Sequence, residues 1–326
     1  MWYFCNRKTY NELLQQAVIV CQKYPYVSKG KIILSMIYCM AKYGARPIDY
    51  ARFEFQKKTS VERNRYMTIN RYFIMRKHFD KELFQRLSGD KINEYAIYRE
   101  FINREWKEVN ISSSTAVIKD FLLKHNEAIL KPNKGEQGHG VIKLSMQNIN
   151  EILSSLQGLD KLYILEEVLH NSTELANINS SSLNTLRVYT LIDKVGKVHI
   201  LAAMLRVGRS GGYVDNWGSG GIGYNLDLET GIVDQCGRDK QNNPYIYHPD
   251  TNVMMLGFQY PHWHELKEFV YALCRVEPKA LFVGWDIALT ARGFELVEMN
   301  FPGGHDFLQA FGTPFWDIIK KNIVDA

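Results

Sequence analysis

The chain has 326 residues, of which 46% are hydrophobic, 23% are charged and 13% are aromatic. This composition is typical of a folded globular protein and excludes a disordered chain. The five cysteines are odd in number and scattered, without a Cys-x-x-Cys pair, which excludes a disulfide framework and a zinc knuckle. The cysteines and the lack of a signal pattern in the first eight residues predict a cytoplasmic location.

The formal net charge of +5 is unevenly distributed along the chain. Residues 1–110 hold 21 Lys and Arg against 11 Asp and Glu, a difference of +10, whereas the remainder holds 19 against 24, a difference of −5. A basic segment is typical of a solvated helical surface, and it also suits an anionic substrate, a membrane surface or nucleic acid. Because its basic residues alternate with apolar ones, we expect no nucleic-acid partner, and a peripheral membrane contact stays open.

The first 90 residues predict a largely helical N-terminal lobe. The longest apolar run, residues 32–41, lies between Lys31 and Lys42. It is shorter than the roughly 20 residues that span a bilayer, so it predicts a core helix. Apolar residues at helical spacing predict helices over residues 9–24, 31–43 and 62–79.

The sequence changes character after about residue 110, where short β-rich runs and glycines begin. Helices are predicted over residues 146–157 and 262–275, and glycine-rich loops over residues 135–140 and 208–223. This mixture favours an α+β or α/β enzyme core over a helical scaffold. The predicted strands are residues 128–131, 141–144, 163–168, 185–193, 198–206, 281–289 and 294–299.

Carboxylates concentrate in the last two predicted strands, which a short glycine-containing turn joins. Folding the chain about residues 291–292 places Asp286 close to opposite Glu298, and strand alternation puts Glu298 and Asn300 on one face. Mg²⁺ prefers such oxygen ligands and takes the others from water and nucleotide phosphates. A solvent-exposed hairpin with an acidic face gives the same pattern, but here both acids lie among apolar residues, where an unpaired acid is costly. The segment therefore predicts a magnesium site.

A lysine and a glycine-rich loop follow each other in residues 129–141, ILKPNKGEQGHGV. Lys131 supplies a positive charge, and the glycines let backbone N–H groups approach phosphate oxygens. The order differs from that of a Walker A loop, and an ordinary β-hairpin fits the run equally well. His139 is a candidate phosphate contact, whereas no histidine pair has a zinc-ligand spacing.

Three further segments carry polar residues that suit a ligand without specifying it. Residues 162–169, LYILEEVL, offer main-chain groups to an adenine and a carboxylate to a ribose, although alone they are more typical of a core strand with a charged end. Arg187 and Arg206 lie inside apolar runs, where either a phosphate or a buried acid would be their partner. Residues 211–222 are glycine-rich, which suits a loop over a ligand or an irregular connection.

Taken in order, these motifs resemble the ATP-grasp superfamily, and most closely its sugar-transfer-associated, α-L-glutamate ligase-like branch. The resemblance covers roughly residues 88–310, and residues 1–85 resemble no family that we can name. It implies an α+β ATP-grasp fold, two α+β lobes that hold ATP between them, over residues 89–326 after a helical lobe of residues 1–88. The matching segments are Lys131-Pro132, Gly138-His139-Gly140-Val141, Asn184-Thr185-Leu186-Arg187-Val188, Asp215-Asn216 with Gly220-Gly221, Gly284-Trp285-Asp286-Ile287-Ala288 and Glu298-Met299-Asn300.

The resemblance also implies a role for each of these residues. Lys131 would hold the α- and β-phosphates of ATP, while Arg187 and Arg206 would steady the transferred phosphoryl group or the substrate carboxylate. The magnesium ligands would be Asp286, Glu298 and Asn300. The residues implied for ATP binding are Lys91, Lys131, Gly138, His139, Gly140, Glu167, Val168, Leu169 and Glu174.

The activity implied by the resemblance is that of an ADP-forming carboxylate–amine ligase that uses ATP and Mg²⁺ and passes through an acyl-phosphate. Such catalysis rests on positioning and charge neutralisation, so no catalytic serine or cysteine is expected. The expected partners are a small-molecule carboxylate and an amine, with a nucleotide-linked sugar or an amino acid suggested by association with surface polysaccharides. Two alternatives stay open: a phosphotransferase to a hydroxyl acceptor, and a non-catalytic nucleotide-binding regulator, which the retained metal ligands disfavour.

Overall fold

The computed structural model describes residues 7–111, 114–135, 140–156, 161–209, 220–306 and 308–325. The chain divides into two units of dense internal contact. Unit 2 comprises Lys81–Thr190 and Ala203–Gly303, and it holds every described residue of the predicted site. Unit 1 comprises the residues up to Asp80 together with Leu191–Ala202 and Gly304–Ala326. The domain boundary between residues 88 and 89 stays a prediction.

Unit 1 is mainly helical, as its apolar periodicity predicts. The first two predicted helices are confirmed as α1 and α2. The Ser28 side chain accepts a hydrogen bond from the Lys31 N–H at the start of α2, and Gly44 ends this helix in a left-handed conformation with φ 64°. The helices of the N-terminal segment are Arg7–Lys23 (α1), Lys29–Tyr43 (α2), Pro47–Arg52 (α3), Ser60–Asn64 (α4) and Ile69–Arg76 (α5).

The single helix predicted over residues 62–79 is wrong, because α4 and α5 are separate helices. Between them, Thr68 has an extended backbone with φ −80° and ψ 167°, and its hydroxyl donates a hydrogen bond to the Tyr43 carbonyl at 2.6 Å. The N–H of buried Met67 donates to the Gln309 side chain at 2.7 Å. Contacts distant in sequence thus take up the backbone groups that a continuous helix would use.

A cluster of aromatic side chains forms the core of unit 1. Phe55 is fully buried and packs against Tyr43 and Tyr66, with ring centroids 6.2 Å and 5.5 Å away and the rings edge to face. The C-terminal segment of unit 1 adds the 3₁₀ helix Leu308–Phe311, α12 (Trp316–Ile319) and the π-helical stretch Lys320–Val324.

The first half of unit 2 is built on a four-stranded antiparallel sheet in the order β1-β4-β2-β3. The predicted strands β2, β3 and β4 and the predicted helix α9 are confirmed, whereas α7, α8 and β1 lie outside the predicted elements. The elements of this half are Lys81–Leu87 (α6), Lys91–Ile97 (α7), Trp106–Asn110 (β1), Thr115–His125 (α8), Glu127–Pro132 (β2), Ile142–Ser145 (β3), Ile149–Leu156 (α9) and Leu162–Glu167 (β4).

A seven-stranded sheet follows, in the order β11-β10-β5-β6-β7-β8-β9. Its four longest strands and helix α11 are the predicted ones, whereas β7 begins inside a predicted loop. No helix among the described residues is long and apolar enough to cross a membrane. The elements are Thr173–Ala176 (α10), Thr185–Ile192 (β5), Val198–Val207 (β6), Ile222–Leu226 (β7), Gly237–Arg238 (β8), Pro244–Tyr245 (β9), Trp263–Val276 (α11), Phe282–Thr290 (β10) and Gly293–Asn300 (β11).

Candidate functional site

The two carboxylates of the β10–β11 hairpin lie opposite each other. Asp286 pairs with Glu298, Gly284 pairs with Asn300, and the turn falls at residues 291–292. Paired residues of an antiparallel ladder point to the same face, so the three polar side chains lie together. The pairing predicted from the sequence is confirmed, while the metal-binding role of these residues stays a prediction.

Two arginines from neighbouring strands hold the Asp286 carboxylate. Arg187 on β5 donates from Nη2 to Oδ2 at 2.8 Å and from Nε to Oδ1, and Arg206 Nη2 on β6 lies 3.0 Å from Oδ2. Burial of Asp286 opposes its ionised form, but the two guanidinium charges outweigh burial and lower its pKa below the usual value. Burial likewise opposes the charge of Arg187, whose pKa Asp286 raises above the usual value. In the structure, the partner of both arginines is therefore a buried acid.

Lys91 pairs with the second carboxylate of the hairpin. It is the first residue of α7, and its Nζ lies 3.1 Å from Glu298 Oε1 and donates to the Gly135 carbonyl at 2.8 Å. The Ile92 N–H donates to Asn133 Oδ1 at 2.9 Å, which ties the start of α7 to the segment after β2. The predicted phosphate-binding lysine thus lies beside the predicted metal ligand.

Lys131 on β2 is buried and already paired with an acid. Its Nζ lies 3.0 Å from Glu166 Oε1, donates to the Tyr95 hydroxyl and stands 4.8 Å from the Tyr95 ring centroid. The structure therefore places this predicted phosphate contact in an ion pair that sequence reasoning did not include.

Glu166 and Arg104 form the centre of a buried network that the sequence analysis missed. Arg104 Nε donates to Glu166 Oε2 at 2.8 Å, and Nη1 donates to Glu295 Oε1 at 2.7 Å. Burial opposes the ionised form of Glu166, but Arg104 and Lys131 outweigh it and lower its pKa to about 2. The signal in the sequence was an acid inside an apolar strand, whereas Arg104 precedes a strand that was not predicted.

Glu94 is a second buried acid that the sequence analysis missed. It is only 3% exposed, and its Oε1 accepts a hydrogen bond from the Met299 N–H of β11. Burial, and then the charge of Glu298, raise the pKa of Glu94 to about 8. The sequence offered one signal, a lone acid within the apolar α7.

The residues predicted to contact adenine and ribose fall into two places. The Glu167 N–H donates to the Glu105 carbonyl at 2.9 Å, and its carboxylate lies 3.1 Å from Arg292 Nη1. Val168 and Leu169 follow β4 and are half-buried. Glu174, at the start of α10, instead lines a cleft of about 460 Å³. The residues lining this cleft are Ser172, Thr173, Glu174, His262, Glu265, Leu289, Thr290, Ala291, Gly293 and Phe294.

Part of the predicted phosphate-binding loop falls outside the described residues, including Gly138 and His139, and so do Asp215 and Asn216. Gly140 is described and has φ +79°. A Cβ on it would lie 3.0 Å from Pro132 Cγ, so both the backbone conformation and the close approach to Pro132 favour glycine here.

The oxygen donors at the hairpin suit a hard cation. Only two of the candidate ligands, Asp286 and Glu298, are acids. Within the part of the chain that the structure describes, no group of three or more His, Cys, Asp and Glu side chains could hold a metal ion together. The third donor would be Asn300, whose Nδ2 donates to the Gly284 carbonyl at 3.2 Å. This hydrogen bond orients the amide and leaves its oxygen as the available acceptor.

The family comparison covers the carboxylate hairpin, Arg187 and Arg206, whereas Lys91 and Lys131 precede the matched residues. The sequence profile of the family described as sugar-transfer associated ATP-grasp matches residues 142–311. No curated protein gives a significant match.

Solved structures with a similar fold include three ligases or synthetases. D-alanyl-alanine synthetase A from Vibrio cholerae shares 14% identity, with 73% of this chain and 66% of that chain covered and a TM-score of 0.48. The ATP-grasp ligase PsnB complexed with minimal precursor, Mg and ADP shares 14% identity, with 74% and 60% covered and a TM-score of 0.44. The D-alanine-D-alanine ligase from Coxiella burnetii shares 7% identity, with 72% and 57% covered and a TM-score of 0.45.

The chain spans less than two thirds of the length of each of these three proteins. The family profile matches slightly more than half of the chain and includes β5, β6 and both strands of the carboxylate hairpin. The predicted α+β ATP-grasp fold with a helical N-terminal part is thereby confirmed, and the chain belongs to the sugar-transfer associated ATP-grasp family.

Proposed function

We propose that this chain is a Mg-ATP-dependent, ADP-forming ligase that joins a carboxylate to an amine. The observation that carries the proposal is the Asp286–Glu298 pair of the hairpin, with Asn300 on the same face and with Arg187, Arg206 and Lys91 bound to the two acids. A family that binds ATP needs cations for the phosphates and oxygen ligands for their counterion, and this cluster provides both.

The residues of the hairpin fit Mg²⁺ by their chemistry. Two carboxylates and an amide oxygen are hard donors, and the Glu298 side chain keeps 33% of its surface exposed, so a ligand can reach it. Both oxygens of Asp286 accept hydrogen bonds from arginines, and a carboxylate oxygen has lone pairs for more than one partner. Asp286, Glu298 and Asn300 would hold Mg²⁺, which would neutralise charge on the ATP phosphates.

The basic residues would position the reacting groups. Lys131 and Lys91 would bind phosphate oxygens, and Arg187 and Arg206 would hold the carboxylate substrate beside the phosphoryl group. A carboxylate oxygen attacks the γ-phosphorus and releases ADP. The amine nitrogen then attacks the acyl carbon, releases phosphate and loses a proton. Because Glu166 and Tyr95 already fix Lys131, little reorganisation is required of that side chain.

The finer assignments belong to the same proposal. Gly138, His139 and Gly140 would approach the phosphates, Glu167, Val168 and Leu169 would contact adenine, and Glu174 would reach the ribose. The acceptor would be a surface-polysaccharide precursor such as a nucleotide-linked sugar, or an amino acid. The family's description as sugar-transfer associated supports this substrate class.

Product analysis tests the proposal directly. The protein is incubated with Mg-ATP and pairs of carboxylates and amines, ADP is resolved from AMP, and hydroxylamine is added to trap an acyl-phosphate. ADP that depends on the carboxylate, with formation of a hydroxamate, is the expected result. ADP formed with a hydroxyl acceptor and without hydroxamate would identify a phosphotransferase, and AMP would contradict the acyl-phosphate route. ATP binding without turnover for any pair would favour the regulator.

A further inference from the structure

Helix α2 is apolar on two opposite sides, although only one of them faces the core. Residues 32–41, the longest apolar run of the sequence, predicted a core helix, and one face from Ile32 to Tyr43 does pack into unit 1. The other face remains exposed to solvent, where Leu34 is 69%, Ile37 39% and Tyr38 46% exposed. The residues of this outer face are Gly30, Leu34, Ile37, Tyr38 and Ala41.

The spacing of these residues makes the outer face continuous. Ile37 and Tyr38 lie three and four residues after Leu34, and Ala41 lies four and three residues after them, so the four residues form one stripe along the helix. Single exposed apolar residues are ordinary on a protein surface, whereas a contiguous stripe marks an interaction surface. Lys42 contacts Tyr38 at its ring and its hydroxyl, but every residue of the stripe remains exposed.

Lysines border the stripe, and acids are nearly absent around it. Lys31 and Lys42 lie beside it, and Lys29 lies at the start of α2, which contains no acid. Residues 7–43 hold six Lys and Arg against one acid, Glu12, which is itself bound to Arg46 at 2.8 Å. The partner of this face must therefore be apolar in its interior and negatively charged at its border.

We propose that the outer face of α2 docks on an anionic lipid bilayer. A helix of 15 residues is about 22 Å long and would lie in the plane of the headgroups, with Leu34 and Ile37 pointing toward the acyl chains. Lys29 and Lys31 would reach the lipid phosphates with their terminal ammonium groups, whereas the Lys42 ammonium donates to the Tyr38 hydroxyl at 2.7 Å and to Ser60 Oγ at 3.1 Å. Tyr38 would sit at the level of the headgroups, a depth that tyrosine favours.

Charge decides between a bilayer and a second copy of the chain. Two copies that met through this face would bring two lysine borders together, and like charges across an interface are repulsive. An anionic bilayer turns the same lysines into attractive contacts, each worth about fivefold in affinity. The binding is expected to be reversible, because one short helix face buries little apolar surface.

Flotation of the full-length protein with vesicles tests the inference. Vesicles of phosphatidylcholine alone are compared with vesicles of phosphatidylcholine mixed with phosphatidylglycerol, at low and high salt. The double variant Leu34→Ser/Ile37→Ser should lose at least about tenfold in binding, because two apolar side chains no longer enter the bilayer. Lys29→Glu/Lys31→Glu should weaken binding at least about 25-fold, since two attractive charges are lost and replaced by repulsive ones, and should reduce its salt dependence.

Matched substitutions on α8 provide the controls. Leu123 is 70% exposed, nearly the same as Leu34, so Leu123→Ser removes an equally exposed leucine from another helix. Lys119→Glu reverses an exposed lysine on that helix. Both controls should bind anionic vesicles like the parent protein, and circular dichroism shows that each variant keeps its helices.

Three results would overturn the inference. They are absence of binding to anionic vesicles, equal binding to neutral and anionic vesicles, and equal loss of binding in the α2 and α8 variants. A dimer in sedimentation that Leu34→Ser/Ile37→Ser dissociates would assign the face to a second copy instead. The readout needs no turnover, so it stands or falls independently of the proposed ligase activity.

Discussion

Two carboxylate clusters in unit 2 use the same residue types and differ in their exposure. In the first, Arg104 binds Glu166 and Glu295, and their side chains are 1%, 8% and 0% exposed. In the second, the Asp286, Arg187 and Arg206 side chains are also buried, at 4%, 13% and 9% exposed, whereas the Glu298 side chain is 33% exposed. A buried ion pair stabilises only while both partners are present, whereas a partly exposed carboxylate can exchange its partner for a ligand. We therefore expect the first cluster to act as a scaffold and the second to bind its ligand at Glu298.

The charge balance of the two clusters also differs. In the first, Arg104 and Lys131 face Glu166 and Glu295, so the charges cancel. In the second, Arg187, Arg206 and Lys91 face Asp286, Glu298 and the nearby Glu94. Burial and the charge of Glu298 raise the pKa of Glu94 to about 8, so this acid holds its proton more strongly than an ordinary carboxylate. In the ion pairs themselves, three cations face two carboxylates, which suits a polyphosphate.

The largest predicted effect concerns the first cluster. Arg104→Met should lower the free energy of unfolding by about 3–5 kcal/mol, because it removes the guanidinium that binds both Glu166 and Glu295 and leaves Lys131 alone beside Glu166. Urea unfolding measures the loss. Arg86→Met is the control, since that arginine is 50% exposed beside Glu277, outside the network, and its loss should cost less than about 1 kcal/mol. Equal losses in both variants would contradict the scaffold role.

The second cluster should respond in activity and not in stability. Glu298→Gln should lower the rate of ADP formation about a hundredfold, because a charge that acts on the phosphates is lost from the site. Its melting temperature should change little, since the side chain is one-third exposed. Glu268→Gln, at an exposed carboxylate on α11 that does not line the cleft, is the control and should keep full activity. Activity above about a tenth of the parent rate in Glu298→Gln would contradict the site assignment.

The difference between these clusters also explains what the sequence could predict. The hairpin was predictable because its two strands are consecutive, so a turn at residues 291–292 brings Asp286 close to Glu298. A β-bulge between Asp286 and Ile287, which the sequence did not predict, shifts the register and sets Asp286 directly opposite Glu298. Arg187 and Arg206 were visible as charges inside apolar strands, but their common partner Asp286 is about a hundred residues away from Arg187 in sequence. Sheet order, which local periodicity does not encode, decides that pairing.

The Arg104 network was missed for a related reason. Arg104 lies in an irregular segment before β1, and its partners come from β4 and β11, which belong to different sheets. The prediction of one helix over residues 62–79 failed for the same reason, because Met67 and Thr68 form hydrogen bonds with residues that are distant in sequence. The local sequence pattern thus predicted most strands, whereas the Arg104 network and the break between α4 and α5 depend on tertiary contacts.

Lowering the pH should destabilise the protein through the first cluster, because the pKa of Glu166 differs between the folded and unfolded states. Its folded-state pKa of about 2 lies below the ordinary value of 4.5, so its contribution to stability is present above pH 4.5 and is lost as the pH falls toward 2. By pH 3 the loss should reach about 2 kcal/mol, measured by urea unfolding between pH 6 and pH 3. Glu166→Gln should remove this part of the pH dependence. An unchanged acid profile in that variant would show that Glu166 is not ionised in its network.

The smallest predicted effect lies where Lys131 meets the first cluster. The Tyr95 hydroxyl bonds to Glu166 Oε2 at 2.7 Å and also contacts Arg104 and Lys131. Tyr95→Phe keeps the ring and removes these contacts, so it should cost about 1–1.5 kcal/mol of stability. Because Lys131 keeps its ion pair with Glu166, the rate of ADP formation should fall only a few-fold.

The matched control for this variant is Tyr163→Phe, at a buried tyrosine on β4, the strand that carries Glu166. A hundredfold loss of activity in Tyr95→Phe, with little change in stability, would contradict the division between scaffold and site. It would mean that the hydroxyl, and not the Glu166 carboxylate, fixes Lys131. The buried network would then help to position ATP, and Tyr95 and Lys131 would belong to the binding site and not to the scaffold.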